Sequence, residues 1–234
     1  MSARRAVLSW SSGKDSTFAL HLARQDPGLE IVALFSTFNA EAGRVAIHGT
    51  RRAIARAQAA ALGLPLIEVD LPAPCPNTVY EARVGAAIRS LQADGIDDWV
   101  FGDIFLEDIR AYREAQLAPL GLRAHFPLWR RETGTLAQEM LATGIEAHIA
   151  TLDPRHLPAE TCGSAFDQGF LDALPEGVDP CGERGEFHTI VADGPGFAHR
   201  LDLQRGETVL RDSFAYTDFM LGPGLTGCAL REMP

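Results

Sequence analysis

The order of apolar segments predicts an α/β fold: a parallel sheet with helices on both faces, followed by a smaller C-terminal α+β lobe. Short apolar runs alternate with helical repeats up to Phe126, and parallel neighbours need crossover connections that usually carry helices. At 234 residues and 46% hydrophobic content the chain can bury a substantial core. After about Pro127 the alternation gives way to a Gly- and Pro-rich stretch, which points to turns and antiparallel pairing. The division falls between residues 1–127 and 128–234, with no disordered linker, repeat or low-complexity segment.

Residues 6–10 form an apolar run with one β-branched member, and Phe18, Ala19, Leu22 and Ala23 follow at helical spacing. That reads as strand, turn, helix. A second strand covers 30–37. An alanine-rich helix covers 50–62, with Thr50 as N-cap and Gly63 as its stop. A third strand spans 65–71. Thr78 and Glu81 have capping-box spacing and open a helix with Val84, Ile88 and Leu91 on one face, closed by Gly95. Strands over 99–102 and 122–126 flank a helix over 106–117. The second lobe is read as a helix over 135–143, a strand over 145–151, a short helix over 164–174, and extended segments over 187–193 and 201–210.

The net charge of -10 disfavours direct nucleic-acid binding, because a basic patch would have to overcome it. No apolar run approaches the roughly 20 residues that cross a bilayer, and Met1 to Leu8 lacks a signal-peptide core, so the expectation is a cytoplasmic protein without membrane contact. A like-charged surface still permits a homodimer. Cys75, Cys162, Cys181 and Cys228 lack paired spacing, which supports neither a zinc ribbon nor a disulfide framework.

One lysine, Lys14, stands against twenty arginines, and it sits in the turn Ser11-Ser12-Gly13-Lys14-Asp15-Ser16. Lysine acts on phosphate as a compact point charge. The turn is no Walker A loop, since Leu8 and Asp15 stand where that motif needs glycine and Ser or Thr. Small residues let main-chain N–H groups approach an anion, and a helix N-terminus favours negative charge. Asp15 would be repelled by bare phosphate, which fits a carboxylate that binds Mg²⁺ or orients a donor. The plain alternative is an ordinary capped helix start.

The turn resembles the PP-loop, Ser-Gly-Gly-x-Asp-Ser, of ATP pyrophosphatases, with Ser12 replacing the first glycine. The segment Cys181-Gly182-Glu183-Arg184-Gly185-Glu186-Phe187-His188-Thr189, followed by Asp193-Gly194-Pro195, resembles the second signature of the diphthine-ammonia ligase family. Gly102-Asp103-Ile104 and Pro127-Leu128-Trp129 are also similar, so the likeness covers nearly the whole chain. The resemblance implies a Rossmann-like PP-loop domain that binds ATP over residues 1–127 and an acceptor-binding lobe over 128–234. It implies ATP and Mg²⁺ as cofactors and an amide-forming ligase: ATP activates a carboxylate as an acyl-adenylate, pyrophosphate leaves, and ammonia displaces AMP. Diphthamide-making members carry Gly-Gly-Glu-Tyr-Glu-Thr where this chain has Arg184 to Thr189, so His188 replaces a glutamate expected to face the acceptor. The Phe-His-Thr form resembles bacterial relatives suggested to act in cobalamin salvage.

On this reading Ser11, Ser12, Gly13, Lys14, Asp15, Ser16, Gly102 and Asp103 hold the nucleotide, and Asp15 takes the metal. Lys14, Glu186 and His188 are the catalytic residues. The acceptor, a carboxylate on a protein or a small molecule, meets His48, Glu183, Glu186 and His188. Strand alternation puts Glu186 and His188 on one face, where the carboxylate would raise the imidazole and fix its tautomer. Without the resemblance such a pair reads as a solvated face, Asp103 as a helix N-cap, and Cys181 as a buried structural thiol. Two other functions stay open: a nucleotide alpha hydrolase or cobalamin-salvage enzyme of the same superfamily, and a non-catalytic ATP-binding sensor.

Overall fold

The computed structural model describes residues 3–45 and 49–223; His48 and Cys228, singled out above, lie outside the described residues. Eleven strands and six α-helices are described: β1 Arg4–Ser9, α1 Lys14–Ala23, β2 Leu29–Asn39, β3 Arg44–Val45, α2 Arg52–Ala61, β4 Leu66–Leu71, α3 Asn77–Ala93, β5 Asp98–Val100, α4 Glu107–Leu117, β6 Arg123–His125, α5 Thr133–Ala142, β7 Glu146–Leu152, β8 Ala165–Phe166, α6 Gln168–Asp172, β9 Phe187–Asp193, β10 Leu203–Arg211 and β11 Phe214–Leu221.

Two sheets result. In the first, β1 pairs in parallel with β2 on one side and β5 on the other, β4 extends it beyond β2, and β6 beyond β5. Only β3 runs antiparallel, against the end of β2. The sheet is sided by strand alternation. Ala6 and Leu8 join Phe18 and Ala19 of α1 in one core, whereas Val7 joins Val84, Ile88 and Leu91 of α3 and Leu117 of α4 in another. Helices therefore cover both faces. The second sheet is antiparallel throughout, with β7 pairing with β8, β9 and β11, and β10 closing the edge against β11. The core holding α1 continues into Ile149, Phe187 and Val191 of this sheet, so the first helix is packed between the two.

Several boundaries differ from expectation for local reasons. The second helix begins at Arg52 with Arg51 as N-cap, because the Thr50 carbonyl is used by Val45 in a turn. Pro76 is the N-cap of α3, which places Thr78 inside the first turn and dissolves the capping box. Residues 165–166 are a strand against β7, and only Gln168–Asp172 is helical, capped by the Asp167 carboxylate on the Phe170 N–H.

Candidate active site

The parallel strands diverge at β1, with β2 and β4 to one side and β5 and β6 to the other. Crevices form at such reversals, beyond the carboxyl ends of the strands. There the chain leaves β1 and turns into α1. Ser12 lies at φ +73, a left-handed conformation uncommon outside glycine, at the place where the PP-loop pattern has one. Its carbonyl accepts from the Val191 N–H at 3.0 Å and from Gln58 Nε2 at 3.1 Å. Gln58, fully buried, also donates to the Val191 carbonyl at 2.7 Å and accepts from Trp10 Nε1 at 3.0 Å. The turn is thus fixed from β9 and α2 as well as from within. Inside it, Ser16 Oγ, Thr17 Oγ1 and the Thr17 N–H converge on the Gly13 carbonyl, each at 3.0–3.1 Å.

Two glycines are required by space. A Cβ on Gly13 would meet the Thr189 carbonyl at 3.0 Å and its Oγ1 at 3.2 Å. One on Gly102, just past β5, would meet the Asp15 carbonyl at 3.1 Å and the Ser16 nitrogen at 3.2 Å. Gly102 therefore touches the turn itself. Asp103 is committed elsewhere: Arg113 holds its carboxylate with two bonds, at 2.6 and 3.2 Å. Leu106, not Asp103, is the N-cap of α4.

Lys14 is buried, its side chain 1% exposed. Its Nζ donates to Asp15 at 2.9 and 3.0 Å and to the Cys181 carbonyl at 2.5 Å, and lies 5.2 Å from the centre of the Phe187 ring. The ammonium faces the second lobe instead of open space. Burial works to lower it, but Asp15, the Cys181 thiol and Glu183 outweigh that and hold it above the usual lysine range. The Lys14 main-chain N–H, one of the four donors that a helix start leaves without a helical partner, goes to Thr189 Oγ1 at 3.0 Å.

The loop from Asp179 to Glu186 closes over this point. Asp179 accepts from the Cys181 N–H at 2.8 Å, and the two Glu186 oxygens accept from the N–H groups of Asp179 and Arg184 at 3.1 and 3.0 Å. Glu186, 2% exposed, shapes the loop. Glu183 reaches back to the first lobe, where its Oε1 accepts from the Ile104 N–H at 2.8 Å. Burial, opposed by that bond and reinforced by Asp15 and Asp103, raises the Glu183 carboxyl to about 7. Burial also pushes up the Cys181 thiol, which donates to the Thr133 carbonyl at 3.4 Å as a structural group. His188 departs from expectation: burial, then the Lys14 ammonium, lowers it to about 4 where a neighbouring Glu186 was to raise it.

A cavity of about 330 Å³ lies between the sheet and helices α3 and α4, reaches Ser9 and Ser11 at the end of β1, and is walled by Phe35, Tyr80 and Trp99. Trp99 is 3% exposed, and its Nε1 has no hydrogen-bond partner among the described residues. Ser12 Oγ is likewise buried without a partner among them. An aromatic slot with a spare donor, opening on a turn with a spare hydroxyl, fits a nucleoside followed by phosphates. For Mg²⁺, no group of three or more His, Cys, Asp or Glu among the described residues could hold a metal alone. A cation carried on phosphates asks for only one or two carboxylates, and Asp15, 27% exposed beside the turn, meets that demand.

The fold brings together Ser11 to Ser16, Gly102, Glu183, Glu186 and His188, with Asp103 at the margin. Sequence reasoning missed Gln58, Thr189 and Trp99, whose roles depend on contacts across long stretches of chain.

Residues 3–124 match the diphthamide synthase N-terminal domain, and residues 132–220 match the diphthamide synthase C-terminal domain. The chain belongs to the diphthamide synthase family. Similar proteins include the diphthine–ammonia ligase of Danio rerio, 31% identical over 139 residues that cover 56% of this chain and 53% of that protein. The diphthine–ammonia ligase of Bos taurus is 27% identical over 173 residues, 68% of this chain and 65% of its own length. That of Rattus norvegicus is 34% identical over 105 residues, 42% and 39% respectively. The chain thus spans about half the length of the Danio rerio relative. Among the described residues no helix is long and apolar enough to cross a membrane.

Proposed function

We propose that this family member is an ATP-dependent amide-forming ligase whose first lobe is a Rossmann-like PP-loop domain and whose second lobe presents a carboxylate acceptor. The observation that carries the reading is the continuity of the β1–α1 turn with the aromatic cavity that starts at Ser9 and Ser11. The adenosine lies against Trp99 and Tyr80, and the triphosphate follows the turn of residues 11–16, where the Ser12 hydroxyl is without a partner among the described residues. Bound Mg²⁺, held by Asp15 and the phosphates, would neutralise charge on the departing pyrophosphate.

An acceptor carboxylate oxygen forms a bond to the α phosphorus as the bond to pyrophosphate breaks. Ammonia nitrogen then attacks the acyl carbon, AMP leaves, and the surplus proton passes to a base. Glu183, raised to about 7, is matched to proton traffic at neutral pH. His188, lowered to about 4, stays neutral there and orients the acceptor or the amine through its ring nitrogens. The buried Lys14 ammonium supplies positive potential to the turn and fixes Asp15.

Incubation with ATP, ammonium and a carboxylate acceptor should yield AMP and pyrophosphate in equal amounts. Release of ADP and phosphate alone would remove the reading. The replacement of a glutamate by His188 favours an acceptor different from that of diphthamide-making relatives, so acceptors should be tried beyond diphthine.

A further inference from the structure

A second cavity, about 560 Å³, opens where the β2–β3 hairpin and the start of α2 face β7, β9 and β11. Val45 and Leu71 line both this cavity and the aromatic one, so the two adjoin. Its body is apolar, with Ile190 and Phe219 among the walls, and its volume lies in the range of small-molecule sites.

Two features of the lining call for an anionic partner. The hydroxyls of Thr50 and Thr151, residues 3% and 2% exposed, have no hydrogen-bond partner among the described residues. Buried polar groups are as a rule hydrogen-bonded, so each such exception needs a partner. The charge is also unbalanced. Arg44 and Arg51 both bond Asp218, each at 2.9 Å, and Arg211 also lines the wall, where Glu207 is the other carboxylate. In the lining itself three guanidinium groups meet two carboxylates, on a protein of net charge -10.

We propose that this cavity is the acceptor pocket, and that it takes a small molecule whose apolar body carries a carboxylate. Ionised carboxylates only accept, which suits two free hydroxyls and a guanidinium fork. Strand alternation places His188 on the same face of β9 as Ile190, and His188 is opposite Thr151 in the β7 register. The residue that replaces the family's glutamate thus belongs to this face. The inference rests on the ligase reading for the term acceptor, whereas the anion site itself stands without it.

The test uses the full chain with isotope-labelled Thr and Ile methyl groups and labelled tryptophan. The probes are 4-phenylbutyrate, indole-3-propionate and hexanoate, each beside its neutral primary amide. The acids should shift the methyl signals of Thr50, Thr151 and Ile190 and the amides should not. Thr151→Val and Arg211→Gln should each weaken the acids about tenfold with the melting temperature unchanged, a size expected for one lost bond to a charged group. Arg211 is exposed, so its variant keeps the fold if Thr151→Val does not. The proposal is overturned if no acid moves these signals, if amides bind as well as acids, or if only a peptide-borne carboxylate binds. ATP titrated against the Trp99 indole N–H separates the two readings: silence there with acids still binding removes the ligase reading and keeps the anion site. A shift there with no acid binding removes only the acceptor pocket.

Discussion

Thr189 Oγ1 accepts the main-chain N–H of Lys14 at 3.0 Å, and the Thr189 carbonyl stands 3.0 Å from where a Cβ on Gly13 would lie. One residue of the second sheet therefore both holds the first helix start and limits what the turn can contain. Thr189→Val keeps the shape and removes the acceptor, leaving a buried donor unpaired, at a cost of about 1–3 kcal/mol. Gly13→Ala forces main chain apart and should cost a similar amount through overpacking, about 1–3 kcal/mol. Urea unfolding of both variants checks the stability. ATP binding should fall further in Gly13→Ala, because displacing Thr189 also displaces the turn's N–H groups.

The ion pair of Lys14 and Asp15 leads to a second prediction. With the ammonium 1% exposed and the carboxylate 27%, removing one partner leaves the other poorly compensated. Lys14→Met should destabilise by less than the roughly 3–5 kcal/mol of a fully buried pair, since the carboxylate left behind is partly exposed. Lys14→Ala, a natural probe of phosphate contact on sequence grounds, would confound folding with catalysis. Lys14→Met combined with Asp15→Asn should recover part of the loss, and a double-mutant cycle by thermal melts measures the coupling. Strict additivity would mean that the pair does not act as a unit.

How legible this site was depended on the range of the contacts. The strand over 187–193 is legible to the residue, because the run Ile190 to Ala192 is a local apolar signal, and the turn is visible in its small residues and single lysine. Thr189 and Gln58 carry no local mark of their role: their partners lie 175 and 46 residues away. The last strand was missed for a different reason. Its hairpin turns on Asp212 and Ser213 at φ +49 and +69, a conformation usually marked by Asn-Gly. The expected lift of His188 does not arise: burial, then a lysine from another element, lowers it.

Opposite shifts at Glu183 and His188 make stability respond to pH in opposite directions. Glu183 is raised to about 7, so the folded state binds more protons than the unfolded between about 4.5 and 7, and stability falls as pH rises through that window. His188 is lowered to about 4, so the unfolded state binds more protons between about 4 and 6.5, and stability is lost as pH falls through that window. Glu183→Gln removes a falling component, so unfolding free energy should climb more steeply up to about pH 6.5 than in the parent. His188→Gln removes one rising component while that of His148 stays, so the curve should decline more steeply toward pH 7 than in the parent. Denaturant titrations at closely spaced pH values test both, and unchanged slopes in the variants would discount these two groups.

Trp99 supplies the most direct optical test of the nucleotide cavity. Its indole N–H is buried without a partner among the described residues, and its ring packs edge-on against Phe35 with centroids 5.0 Å apart. Trp99→Phe removes the unpaired donor while keeping an aromatic wall, so the free protein should be no less stable, a sign opposite to most core substitutions. If a base edge accepts that N–H when ATP is bound, affinity should drop about tenfold, the worth of one lost hydrogen bond in an enclosed site. Of the three tryptophans, only Trp99 and Trp10 line the cavity. Trp10 Nε1 is already held by Gln58 at 3.0 Å, so ATP-induced changes in fluorescence should largely vanish in Trp99→Phe and persist in Trp129→Phe. A full fluorescence response to ATP in Trp99→Phe would place the base elsewhere.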